Sequence, residues 1–112
     1  MIATVQKIER TAHYADAMAV ATRLQPEEPV FCFSASQLLA KAETFLKGFP
    51  GTVSYAVKSN PAREVLATLA KAGLRHWDVA SVHEMVAVRD VSPKAQFHYH
   101  NPVKSSREIT DA

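Results

Sequence analysis

Three short stretches of the chain alternate large apolar residues with small or polar ones, the period-2 pattern of β-strands. They cover residues 52–58, 76–80 and 96–100. In the first stretch Val53, Tyr55 and Val57 share one face, whereas Ala56 and Lys58 share the other with small polar residues. The pattern predicts three strands, each with one face directed at a hydrophobic core.

Between these stretches apolar residues recur at helical spacing, and the signals for helix ends agree with them. Three S-x-x-E or S-x-x-Q patterns each predict a helix start. They are Ser34 with Gln37, Ser81 with Glu84, and Ser105 with Glu108. Gly48 and Gly73 follow apolar runs, where glycine commonly ends a helix. A further helix is predicted after residue 60, with Asn60 as its cap and Pro61 in its first turn.

The N-terminal part carries a weaker pattern. Residues 5–19 have apolar residues at helical spacing, which predicts an amphipathic helix, and the prolines at 26 and 29 end it. Residues 30–33 form an apolar run that predicts a short strand with Cys32 as a buried, inert thiol. We expect residues 1–28 to form an N-terminal helix and linker, and residues 29–112 to form the α/β domain.

The succession of strand, helix, strand, helix, strand and helix predicts a parallel sheet covered by helices. Three strands cannot close a (β/α)₈ barrel, which needs eight strands and about 250 residues. The chain is therefore either a small open α/β domain or the first part of a longer protein. The last predicted helix has barely one turn after its cap, which favours the longer protein.

Composition narrows the possible partners. The 112 residues are 47% hydrophobic and 21% charged, with a net charge of +2 and no basic run, which argues against nucleic-acid binding. No apolar run approaches the length of a membrane span, and charged residues occupy the region where a signal peptide would be apolar. We expect a cytoplasmic protein, and its single cysteine excludes an intrachain disulfide.

Lys58 is the strongest candidate for chemistry, because the pattern places it at the carboxyl end of a strand, before a turn into a helix. A lysine partly shielded from water there can form a Schiff base with an aldehyde or ketone. The alternative is an ordinary solvated lysine. Asp78 shares the face of Lys58 if both strands lie in one parallel sheet, and would balance its charge.

The sequence gives weaker support for the other candidate functional residues. His98 and His100 share a face of one strand and are compatible with a two-histidine metal site, but packing or solvent exposure is the simpler interpretation. Glu84 is explained by helix capping alone. All three glycines serve helix ends and a turn, so the chain has no glycine-rich phosphate loop, and no serine lies in a G-x-S-x-G turn.

Four segments resemble the pyridoxal-phosphate-dependent ornithine/lysine/arginine/diaminopimelate decarboxylases, which share the alanine-racemase-type barrel. They are residues 29–33 (P-V-F-C-F), 55–61 (Y-A-V-K-S-N-P), 77–84 (W-D-V-A-S-x-x-E) and 101–105 (N-P-V-K-S). Trp77 stands where the family usually has phenylalanine. The N-P-x-K segment is closer to ornithine-type enzymes than to the diaminopimelate type, which tends to show G-N-x-K.

The resemblance implies a partial (β/α)₈ barrel of about three βα units and pyridoxal phosphate as the cofactor. Lys58 would form the Schiff base with it, with Ala56, Asp78 and Glu84 close to the cofactor and Lys104 in the subunit-interface region of a homodimer. The family's later strands, its ring-stacking histidine, its glycine-rich phosphate site and its C-terminal β-domain are missing. Cys32 is not the family's catalytic cysteine.

Three functional hypotheses follow. The leading one is an N-terminal segment of a decarboxylase that acts on a basic amino acid, ornithine first, with lysine, arginine or diaminopimelate as alternatives, and inactive as this fragment. The second is a truncated homologue that binds a full-length subunit or a regulator. The third is an unrelated α/β ligand-binding domain in which Lys58 is a surface residue.

Overall fold

The computed structural model describes residues 13–100 and 106–111. The chain divides into two compact units, Met1–Phe33 and Ser34–Ala112. Its helices and strands are α1 (Ala17–Leu24), α2 (Ala35–Gly48), β1 (Ser54–Ala56), α3 (Arg63–Ala72), β2 (His76–Val79), α4 (Val82–Val91), β3 (Gln96–Tyr99) and α5 (Ser106–Asp111). A single 3₁₀ turn, Val57–Ser59, lies between β1 and α3.

The first unit differs from the sequence prediction. Helix α1 begins only after Asp16, whose carboxylate accepts a hydrogen bond from the Ala19 N–H at 2.8 Å, so the predicted start at residue 5 is wrong over residues 13–16. Residues 5–12 of that prediction lie outside the described part of the chain. Residues 30–33 form no strand, and Cys32 is exposed rather than buried. An apolar run becomes a strand only where a neighbour satisfies its backbone groups, which the local pattern cannot specify.

The second unit contains a three-stranded parallel sheet in the order β1-β2-β3. This confirms the predicted α/β class and all three strands, although each strand is shorter than predicted. Ser54 pairs with His76 and Ala56 pairs with Asp78, while Asp78 also pairs with His98 on the next strand. Helices α3 and α4 are the connections between successive strands, as parallel pairing requires.

Two of the helices begin at the predicted capping residues. Ser34 and Ser81 cap α2 and α4 by accepting hydrogen bonds from the backbone N–H groups of Gln37 and Glu84. Helix α5 begins at Ser106, while Ser105 lies outside the described residues. No helix in the described part of the chain combines the length and the apolar composition needed to cross a bilayer.

One face of the sheet packs on the helices and forms the core. Trp77 is fully buried at its centre, next to Val79 on the same strand face. The helices contribute apolar residues from α2, α3 and α4, and the core continues into the 3₁₀ turn. The core residues are Ala42, Val57, Val65, Leu66, Leu69, Leu74, Trp77, Val79, Met85, Val88 and Ala95. Because alternate strand residues point to opposite faces, the polar residues of β2 and β3 lie on the face away from this core.

Gly73 ends α3 in a backbone conformation that requires glycine. Its φ is +104°, its N–H donates to the Ala70 carbonyl, and the Leu74 N–H donates to the Leu69 carbonyl, both at 3.1 Å. This is the Schellman arrangement, and buried Leu74 anchors the chain as it enters β2.

We expect Gly73→Ala to lower the free energy of unfolding by about 1–2 kcal/mol, because the added Cβ meets no neighbour and only the left-handed backbone is penalised. Gly48→Ala is the matched control. Its Cβ also meets nothing, and its φ is not positive, so we expect no loss or a gain of up to about 1 kcal/mol. Urea unfolding of both variants tests this, and equal effects would contradict it.

Candidate functional site

The sheet face away from the helices carries two rows of side chains that run across the strands. Ser54, His76 and Gln96 form the first row, and Ala56, Asp78 and His98 form the second. The second row lies nearer the carboxyl ends of the strands, where open α/β sheets bind their ligands. The structure therefore brings Ala56 and Asp78, both predicted site residues, side by side.

Lys58 follows this row but does not lie on the strand. Strand β1 ends at Ala56, and Val57, Lys58 and Ser59 form a 3₁₀ turn, so the prediction of a strand reaching Lys58 is wrong. Val57 is fully buried beneath the turn, while Lys58 is exposed. Among the described residues Lys58 forms no hydrogen bond or ion pair with Asp78 or Glu84.

The turn that carries Lys58 is fixed on both sides. The Tyr55 hydroxyl donates a hydrogen bond to the Asn60 carbonyl at 3.1 Å, so this bond spans the turn from β1 to the residue after it. Burial raises the pKa of the Tyr55 hydroxyl above its ordinary value, which keeps it protonated as a donor. The Tyr55 ring also contacts Trp77 edge to face, with ring centres 6.2 Å apart.

Asn60 forms its hydrogen bond before the start of α3, although it was predicted to cap that helix. Its side-chain oxygen accepts a hydrogen bond from the Ala62 N–H at 3.1 Å, while α3 begins only at Arg63. Asn60 therefore closes an Asx turn ahead of the helix instead of capping it. Together with the Tyr55 hydrogen bond, this contact holds the backbone on the carboxyl side of Lys58.

Asp78 occupies the middle of the sheet face. Its side chain is half-buried between Ala56 on β1 and His98 on β3. Within residues 13–100 and 106–111 its carboxylate has no hydrogen-bond partner. A half-buried carboxylate without a protein donor is available to a ligand, because polar groups in such positions normally find a partner.

Glu84 has a structural role that the sequence pattern predicts. One carboxylate oxygen accepts a hydrogen bond from the Ala80 N–H at 3.1 Å, while the Glu84 N–H donates to the Ser81 hydroxyl at 3.2 Å. In a capping box the Glu84 carboxylate would accept from the Ser81 N–H; here it accepts from the N–H one residue earlier, and so joins the carboxyl end of β2 to the first turn of α4. The location of Glu84 near the cofactor stays a prediction.

His98 and His100 share a face, as predicted, and pack against each other. The rings of His98 and His100 stack at 5.9 Å with nearly parallel planes, whereas His98 Nε2 faces His76 Nδ1 at 3.0 Å. Strand alternation places His76 on the face of Asp78, but its contact with His98 depends on strand register, which no single segment of the sequence contains. Among the described residues, no group of three His, Cys, Asp or Glu side chains could hold a metal ion.

Comparison with known proteins identifies the family. Residues 35–112 match the family described as pyridoxal-dependent decarboxylase, pyridoxal binding domain, which is well over half of the chain. The chain belongs to this family. A lysine/ornithine decarboxylase from Selenomonas ruminantium is 43% identical over 61 residues, which cover 54% of this chain and 15% of that protein. No solved structure matches the chain significantly.

Family membership gives pyridoxal phosphate as the cofactor, and the described residues fit its reactive end. Lys58 presents an exposed amine on an anchored turn, Ala56 leaves space on the adjoining strand, and Asp78 offers a carboxylate without a partner in the described part of the chain. The described residues contain no glycine-rich turn for the phosphate. Lys104 lies outside them.

We expect Glu84→Ala to lower the free energy of unfolding by about 1–2 kcal/mol, since the Ala80 N–H would lose its charged acceptor. Glu84→Gln should lose less, because the amide oxygen can still accept that bond. Exposed Glu43 on α2 is the control, and its alanine variant should stay within about 0.5 kcal/mol of the parent chain. An equal loss for Ala and Gln at position 84 would show that the charge, and not the hydrogen bond, matters.

Proposed function

We propose that the protein containing this chain is a pyridoxal-phosphate-dependent carboxy-lyase that removes the α-carboxylate of a basic amino acid. The observation that carries this proposal is the position of Lys58, exposed on a fixed turn immediately beyond β1 and next to the row of Ala56 and Asp78. Family membership supplies the cofactor. Since the chain spans 15% of the matched relative, activity and substrate belong to the proposal.

Ornithine is the substrate that the proposal places first, with lysine as the alternative. The relative from Selenomonas ruminantium carries both substrates in its name. The N-P-x-K segment at residues 101–104 supports the ornithine type over the diaminopimelate type. We further propose that the sheet is the first part of a (β/α)₈ barrel and that the complete protein is a cytoplasmic homodimer.

Lys58, Ala56 and Asp78 would each have a different role at the cofactor. Lys58 would hold the aldehyde end of the cofactor, and the turn fixed by Tyr55 and Asn60 would set the position of its amine. The small side chain of Ala56 would let the ring lie against the sheet. Asp78 would accept a proton or a hydrogen bond beside it. Pyridoxal phosphate, when bound, supplies an electron-accepting ring for the electron pair left by departing carbon dioxide.

We expect borohydride treatment of the holoprotein to fix the cofactor to Lys58, because reduction makes the bond between lysine and aldehyde permanent. Peptide mapping by mass spectrometry identifies the labelled lysine. Lys58→Arg should abolish labelling, since a guanidinium does not form this bond, while Lys94→Arg, at an exposed lysine between α4 and β3, should leave it unchanged. Labelling of Lys104, or of no lysine in this segment, would overturn the proposal.

We expect the 112-residue chain alone to release no carbon dioxide from ornithine, lysine or arginine, even with added pyridoxal phosphate. Preorganised polar groups around the reacting atoms usually supply much of an enzyme's rate enhancement, and the described residues provide few of them. A radiometric carbon dioxide assay tests this. Turnover by the chain that Lys58→Ala abolishes would show that the essential groups all lie within these residues.

A further inference from the structure

Two histidines on neighbouring strands direct ring nitrogens at the same small region of the sheet face. His76 begins β2 and His98 lies inside β3, so the pair is diagonal across the parallel ladder. His76 Nδ1 and His98 Nε2 are 3.0 Å apart, the ring centres are 5.3 Å apart, and the ring planes are tilted by 35°. Both side chains are half-buried on the face that the helices leave free.

A separation of 3.0 Å between two imidazole nitrogens is that of a hydrogen bond, in which one ring donates and the other accepts. It is also the separation of two ligands on one metal ion. Nitrogen atoms bound at about 2.0–2.1 Å lie about 2.8–3.4 Å apart when the angle at the metal is about 90–109°. A metal can therefore replace the shared proton if each ring turns by roughly 35–45° from the line between the nitrogens, so that both lone pairs point at the metal.

The separation of the ring centres is compatible with the hydrogen bond and with a shared metal alike. Two imidazoles on one metal at a tetrahedral angle have centres about 5.2 Å apart, and His76 and His98 already have theirs at 5.3 Å. Neither strand has to move. Imidazole nitrogens suit Zn²⁺, Cu²⁺ and Ni²⁺ far better than they suit Mg²⁺ or Ca²⁺, which prefer oxygen.

We propose that His76 and His98 form a two-nitrogen binding site for a divalent cation of the Zn²⁺, Cu²⁺ and Ni²⁺ class. No third His, Cys, Asp or Glu side chain in the described residues already converges on the position, so water fills the other coordination positions at first. The site does not depend on the decarboxylase proposal.

His100 has a different part in this site. Its ring lies parallel to that of His98, with an angle of 2° between the planes and 5.9 Å between the centres. Because the His100 ring packs on that of His98, its role is to orient a ligand rather than to act as one.

Calorimetric titration of the tag-free 112-residue chain with Ni²⁺ tests the site, because Ni²⁺ does not oxidise the exposed thiol of Cys32. We expect one equivalent to bind, with the affinity lowered about tenfold or more in His76→Gln and in His98→Gln. His83→Gln, at an exposed histidine in the first turn of α4, is the matched control and should bind as the parent chain does. Absence of binding, or equal affinity in all variants, would overturn the proposal.

A second measurement needs no variant and so does not depend on variants that fold. Diethyl pyrocarbonate modifies unprotonated imidazole nitrogens, and peptide mapping locates each modified ring. With Ni²⁺ present, we expect His76 and His98 to be protected and His83 to react as before. Equal modification of all three histidines with and without Ni²⁺ would show that the pair is only a hydrogen bond.

Discussion

The parallel register of β1, β2 and β3 is the constraint on which the rest of the structure depends. It aligns Tyr55, Trp77 and Phe97 on one face and Ala56, Asp78 and His98 on the other. The first set meets the helices and forms the core, while the second forms the candidate site. A shift of β2 by one residue against its neighbours would turn its side chains to the opposite faces, burying the Asp78 carboxylate and exposing Trp77. Stability and chemistry therefore depend on the same alignment.

The site is coupled to the core through the turn after β1. Val57 is fully buried, and the next residue, Lys58, is exposed, so the amine projects from a backbone that the core itself holds. The hydrogen bond from Tyr55 to Asn60 closes this turn from the other side. Functional side chains are positioned best by elements whose own packing leaves them little freedom. Here the packing of Val57 fixes the position of the reactive amine of Lys58.

Local signals in the sequence were sufficient for the α/β class, for the caps of α2 and α4, and for Gly73. They were sufficient because each depends on residues only a few positions apart. The predictions that were wrong depend on distant contacts. Cys32 is exposed because no ladder fixes its apolar run, and β1 stops at Ala56, where the chain enters the 3₁₀ turn that the hydrogen bond from Tyr55 to Asn60 spans. The contact between His76 and His98 likewise requires a register that no single segment contains.

The burial of Trp77 determines the intrinsic fluorescence of the protein. Trp77 is the chain's single tryptophan, it is wholly buried, and its indole N–H has no acceptor among the described residues. An indole in such apolar surroundings emits at shorter wavelength than one in water. Because Tyr55 lies against it and also holds the turn of Lys58, a displacement of that turn should alter the emission. The intrinsic fluorescence of the protein thus reports on the core and on the lysine turn at once.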